Sequence, residues 1–239
     1  MRQGWDSEAG NWAVFARTPG YDRIYDEINL PAFLALLPPP GRRTLDLGCG
    51  EGRLGRVLRP LGYQVAGIDA SETMVRLAAR HARPEPALVA DATGLPFAVG
   101  AFDLVVAFMV LHDVDRMPEA VAEIARVLEP GGTLCMAIVH PLNSAGNFTE
   151  RDADAPFVIP GSYLEHRPSD FTAERDGVRL TFHSEHRPLE AYSRALEDAG
   201  MRIEAIREVG SREELTARDP AARRWQRIPL YLHIRAVTE

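Results

Sequence analysis

Leu45-Asp46-Leu47-Gly48-Cys49-Gly50-Glu51-Gly52-Arg53, residues 45–53, is the stretch on which the fold turns. A short apolar run enters Gly-x-Gly-x-Gly, and Arg53–Leu61 then reads as a helix. Glycines let the backbone turn tightly and approach a ligand, while the helix start offers N–H groups with no partner inside the helix. Strand, glycine loop and helix together form a nucleotide-binding arrangement. A dinucleotide fingerprint needs Gly-x-Gly-x-x-Gly, and Arg53 stands where its third glycine belongs. Another adenosyl ligand is therefore favoured over a dinucleotide.

Short apolar runs alternate with helical stretches on either side of this loop. Arg43–Leu47, Gln64–Ile68, Ala87–Ala90, Phe102–Phe108 and Thr133–Val139 read as strands. Glu72–His81 and Met117–Leu128 read as helices, the second stopped by Glu129-Pro130-Gly131-Gly132. Phe102–Phe108 is apolar on both faces, as a buried parallel strand is. This rhythm predicts an α/β fold, a parallel sheet with helices on both faces. Residues 1–40 carry apolar side chains at helical spacing and end at Pro38-Pro39-Pro40-Gly41, which predicts an N-terminal helical cap. The domain proper is expected over 41–239. From about 141 to 187 the rhythm breaks, which predicts an inserted lid with a hairpin around Asp176-Gly177. Pro188–Ala199 reads as a helix closed by Gly200, and Arg202–Val209 and Leu230–Val237 as two last strands.

The second strand ends in Ile68-Asp69, about 20 residues past the loop, where a carboxylate can accept from ribose hydroxyls. The third ends in Ala90-Asp91-Ala92, where a carboxylate can accept from an adenine amino group. Composition narrows the function classes. Hydrophobic residues make up 46% and charged residues 26%, the balance of an ordinary globular chain. The net charge of −7 argues against an electrostatically driven nucleic-acid binder. All 27 Lys+Arg residues are Arg, so lysine chemistry is excluded. Cys49 and Cys135 have neither metal spacing nor a disulfide framework, so no metal is expected and a cytoplasmic setting is. No apolar segment of membrane length and no secretory leader is legible.

In order and spacing, five segments resemble the class I S-adenosylmethionine-dependent methyltransferases, in their small-molecule branch. They are Leu45–Gly52, Gly67-Ile68-Asp69-Ala70-Ser71, Asp91-Ala92, Phe102-Asp103-Leu104-Val105 and Val127–Leu134. The resemblance implies a Rossmann-like, seven-stranded, mostly parallel sheet ending in an antiparallel hairpin. It implies S-adenosyl-L-methionine as cofactor, with Gly48, Cys49 and Gly50 under its methionine and ribose. Asp46 would contact the cofactor or receive loop N–H groups. Asp69 would hold the ribose, Ala70 and Met74 would flank the adenine, and Asp91 and Ala92 would contact it. Ala107, Phe108 and Met109 would flank the methionyl end. Arg17 or Trp12 would close over the cofactor, and Arg17 would then pair with the methionyl carboxylate.

Methyl transfer to oxygen or nitrogen of a small-molecule metabolite is the expected activity. His112 and His140, just past the fourth and fifth strands, are the candidate bases, with His183 and His186 in or beside the insertion. A competing reading is a cofactor-binding relative with a different activity or none. After the fourth strand the chain reads Ala107-Phe108-Met109-Val110, not the Asn-Pro-Pro-Tyr type that resembles the signature of base or glutamine amino methylation. A monomer or homodimer without nucleic-acid or membrane partners is expected.

Overall fold

The structure, a computed structural model, describes residues 2–80 and 86–239. Helix α1 (Arg2–Arg17) leads through a turn into a wide helical turn at Tyr25–Asn29 and the short α2 (Leu30–Leu34). The sequence predicts ordinary helical spacing here. Instead the Leu30 N–H bonds back five residues to Tyr25 O, just ahead of Pro31, which has no N–H to give.

The parallel strands are β1 (Thr44–Leu47), β2 (Val65–Asp69), β3 (Ala87–Val89), β4 (Phe102–Phe108) and β5 (Leu128–Val139). Between them lie α3 (Arg53–Leu58), α4 (Glu72–Ala79) and α5 (Met117–Val127). The expected end of α4 at His81 lies outside the described residues. β5 starts at Leu128 instead of Thr133, because Leu128 already pairs with Phe102. Glu129–Gly132 bulges out before Thr133 pairs with Leu104, and Thr238 Oγ1 donates to Glu129 O at 2.7 Å.

After α6 (Pro141–Ala145) come six short strands in three antiparallel pairs. β6 (Asn147–Phe148) pairs with β7 (Phe157–Val158), and β8 (Arg167–Pro168) with β11 (Glu185–His186). β9 (Phe171–Arg175) and β10 (Val178–Phe182) form the hairpin expected at Asp176-Gly177. Asp176 and Gly177 have φ of 49° and 79°, the two left-handed positions of a tight hairpin turn. α7 (Leu189–Asp198), β12 (Met201–Val209), α8 (Glu213–Arg218) and β13 (Tyr231–Thr238) complete the chain.

The sheet order is β12-β13-β5-β4-β1-β2-β3. β13 runs antiparallel to both its neighbours, so the sheet is seven-stranded and mostly parallel with an antiparallel end. Alternation along the strands splits the core in two. Leu134, Met136 and Ile138 of β5 pack with α5 and α7 on one face. Cys135 and Ala137 pack with α2 and α3 on the other. The chain order reverses between β1 and β4, and in open α/β sheets ligands bind at the carboxyl ends beside that reversal.

Candidate active site

The site begins where β1 turns into α3. Gly48 has φ +68°, and a Cβ there would stand 2.3 Å from Val110 Cγ2. Only glycine lets the loop pass so close to the segment leaving β4. Asp69, at the end of β2, fixes the loop from the side. Its Oδ2 accepts the Gly50 N–H at 2.9 Å and its Oδ1 the Ser71 N–H at 2.8 Å. A carboxylate has about four acceptor sites, so capacity for hydroxyl donors remains. Burial pushes the Asp69 carboxyl above the usual range, and the Ser71 and Gly50 N–H groups oppose that shift.

The N-terminal segment is clamped onto this loop by charge. Arg53, the residue that breaks the dinucleotide pattern, bonds Asp22 at 2.7 Å and Asp26 at 2.9 Å. Its guanidinium lies 3.4 Å from the centre of the Tyr25 ring. Glu51 is fully buried and takes Arg17 on one carboxylate oxygen and Arg56 on the other. Asp6 of α1 accepts from Ser71 Oγ and from the Thr73 N–H at the start of α4. Neither Arg53 nor Glu51 is expected at the site from sequence. Their role shows only once residues 17–26 are placed over the loop.

An aromatic roof joins the cap to the insertion. Phe182 of β10 sits 6.1 Å from Trp5, 6.0 Å from Trp12 and 6.2 Å from Phe15 between ring centres. All three contacts are edge-on, the favoured arrangement for such rings. Tyr21 Oη donates to Asp176 at 2.6 Å, and Arg175 donates to the carbonyls of Gly20 and Tyr21.

Beneath the roof lies a cavity of about 1280 Å³ at the carboxyl ends of the parallel strands. Asp46, Gly48, Cys49, Gly50, Asp69, Ala70, Met74, Asp91, Ala92, Phe108 and Met109 all line it. Ala107 is buried behind them in the core. Arg17 lies outside the lining, held on Glu51 and, at 3.4 Å, on Leu77 O. Asp91 Oδ1 accepts from both the N–H and the hydroxyl of Thr93.

The histidines separate sharply. His112 lines the cavity and is 5% exposed, and its Nδ1 has no hydrogen-bond partner among the described residues. Its Nε2 lies 3.4 Å from Asp113 Oδ1. Burial, and then the charge of Arg187, push its pKa down to about 3. Burial drives Asp113 the other way, well above the carboxylate range. Arg187 is itself buried and donates to Val114 O at 2.7 Å and Glu185 at 2.6 Å, tying the end of the insertion to this corner. His140 is outside the lining with both ring nitrogens engaged. Its Nδ1 caps α6 by accepting the Leu142 N–H, and its Nε2 meets Glu208 at 3.0 Å. His186 is likewise held between Ser144 Oγ and Tyr163 O, and His183 faces Asp170.

The family model described as "Methyltransferase domain" matches residues 45–136. The aklanonic acid methyltransferase DauC of Streptomyces sp. (strain C5) is 33% identical over 169 residues, covering 64% of this chain and 74% of the relative. This chain belongs to the class I S-adenosylmethionine-dependent methyltransferases. A solved S-adenosylmethionine-dependent methyltransferase from Mesorhizobium loti is 26% identical with a TM-score of 0.72, over 87% of this chain and 96% of that one. A demethylmenaquinone methyltransferase of Beutenbergia cavernae is 40% identical over 119 residues, 49% of this chain and 48% of the relative. The chain spans about half the length of the malonyl-carrier-protein and demethylmenaquinone relatives it matches. The cofactor of the methyltransferase is S-adenosylmethionine. The residues present fit it: the glycine loop leaves room for a close approach, and the strand-end carboxylates suit ribose hydroxyls and a cationic ligand. No helix among the described residues is long and apolar enough to cross a membrane.

Proposed function

We propose that the methyltransferase methylates an oxygen or nitrogen of a small, apolar or aromatic metabolite. The observation that carries this reading is one continuous cavity that runs from the glycine loop to the aromatic roof of Trp5, Trp12, Phe15 and Phe182. When bound, S-adenosylmethionine supplies a methyl group activated by its sulfonium charge. Gly48, Cys49 and Gly50 support its methionine and ribose, and Asp69 accepts from the ribose hydroxyls. Ala70, Met74, Asp91 and Ala92 surround the adenine, while Phe108 and Met109, backed by Ala107, flank the methionyl end. Arg17 acts through Glu51, holding the cap over the loop.

The protein's main task in such a displacement is alignment, which can remove roughly 7–11 kcal/mol of a barrier. His112 takes the acceptor's proton. A neutral imidazole with a depressed pKa is a weak base, yet it suffices here. The acceptor hydroxyl becomes steeply more acidic as the methyl group arrives, so a weak base at that oxygen takes the proton within the transition state. Asp113 stands next to it to share that proton.

Titration calorimetry with S-adenosylmethionine and S-adenosylhomocysteine tests the cofactor half, and binding of neither at sub-millimolar concentration would overturn it. Mass spectrometry of a hydroxy- and amino-arene panel tests the transfer. His112→Gln is expected to slow turnover about 10²–10⁴-fold with cofactor affinity unchanged.

A further inference from the structure

The cavity has two ends that differ in their lining. The cofactor end carries Asp46, Asp69 and Asp91. The far end, past β5 and the start of β13, carries Arg167 and Arg224 together with Phe148 and Trp225. Both arginines bond backbone of the 141–187 stretch. Arg167 donates to Ala145 O and to Ser162 O, while Arg224 donates to Arg151 O at 2.7 Å. These bonds use backbone carbonyls only. Among the described residues no carboxylate pairs with either guanidinium, nor with Arg116, Arg151 or Arg175, whereas Arg23 and Arg53 of the lining each have one. A guanidinium carries five N–H donors, and two on each are accounted for. Glu150 also lines this rim, but it is exposed and binds neither arginine.

The ring surfaces lie next to that charge. Phe148 meets Trp225 edge-on at 5.0 Å, and the Arg224 guanidinium lies 5.5 Å from the Trp225 ring centre and 5.9 Å from that of Phe148. An aromatic ring face beside forked cationic donors recognises a flat ring that carries an anion. We propose that this end is the acceptor subsite, and that the acceptor is a planar aromatic carboxylate whose carboxyl group is read by Arg167 and Arg224. The assignment rests on the methyl-transfer reading, because it places the rest of the acceptor's ring system toward Met109 and His112. The carboxylate anchors the acceptor at the far end, leaving a separate oxygen or nitrogen near the methyl position.

The probe pair is 2-naphthoic acid and its uncharged amide, 2-naphthamide, titrated calorimetrically into the protein saturated with S-adenosylhomocysteine. The acid is expected to bind about tenfold tighter than the amide. Arg224→Gln and Arg167→Gln should each remove most of that preference. Arg224→Gln should leave amide affinity and S-adenosylhomocysteine affinity unchanged, which also shows that the variant is folded. Equal binding of acid and amide, no saturable binding of either, or a preference that survives in both variants would overturn the subsite. Loss of S-adenosylhomocysteine binding by the unaltered protein would instead overturn the methyl-transfer reading beneath it.

Discussion

Two residues show how tightly single positions are specified. Gly48 combines a left-handed φ with a 2.3 Å approach of any Cβ to Val110 Cγ2. Gly48→Ala is expected to destabilise the fold by about 2 kcal/mol. Adding Val110→Ala should recover only part of the steric share, because residue 110 would still place a Cβ 2.8 Å away and the backbone strain remains. A denaturant midpoint that does not move in the single variant would refute this. His233 of β13 is fully buried, bonded through Nε2 to Asn29 Oδ1 at 2.7 Å and edge-on to Phe33. Burial holds its folded pKa down to about 4, whereas an unfolded histidine titrates near 6.5. Between those values the unfolded chain binds more protons, so this contribution is present above pH about 6.5 and is lost as the pH falls toward 4. Asp113, raised by burial, works in the opposite sense, so the whole-protein profile mixes both. His233→Gln isolates the one group, because a Gln amide can still donate to Asn29. The stability gap between the two proteins should shrink by about 3 kcal/mol from pH 7 to pH 4. A gap independent of pH would show that His233 does not titrate as its burial requires.

At the scale of elements, the hairpin β9–β10 packs on the N-terminal helix and pairs with no strand of the seven-stranded sheet. Its partner is α1, through Phe182 among Trp5, Trp12 and Phe15. Phe182→Ala should cost α1 about 2 kcal/mol of local stability. Amide exchange in α1 would then quicken about thirtyfold while β4 and β5 stay protected. Equal acceleration in all three would mean that the roof is not a separate unit. This hairpin was legible because Asp176-Gly177 carries its own turn chemistry. The seven sheet strands were legible because period and glycine placement are local signals. The two-residue strands β6, β7, β8 and β11 carry no such signal, since tertiary contacts alone hold them. The wide turn at Tyr25–Asn29 was hidden for the same reason, its spacing being that of an ordinary helix. At the site, Asp69 and Gly48 could be read from position after a strand. Arg53 and Glu51 could not, because Asp22, Asp26 and Arg17, which they hold, lie about thirty residues away and follow no motif. His112 and His140 looked alike as strand-end histidines, and only their different partners separate them.

At the scale of the molecule, one sheet carries two covers that meet through the aromatic cluster, the Tyr21–Asp176 bond and the Asn11–Arg179 bond. The sheet edge supplies fixed backbone positions, and the covers are held by a few ion pairs and one aromatic cluster. If those covers close over a ligand the size of S-adenosylhomocysteine, binding and closure are coupled. At a concentration a hundredfold above Kd, ligand stabilises a protein by about 2.7 kcal/mol. Global unfolding should reflect that amount in any case. Coupling to closure predicts something more specific, that added protection against amide exchange concentrates in α1, in the Tyr21–Asn29 segment and in β9–β10. Arg53→Gln removes the clamp to Asp22 and Asp26 and the contact on Tyr25. It should quicken ligand dissociation about tenfold and reduce protection in the cap, while association changes little, because the encounter is with the open form. Protection spread evenly over sheet and covers, or an Arg53→Gln protein that releases ligand at the unaltered rate, would show that the cap does not gate the site.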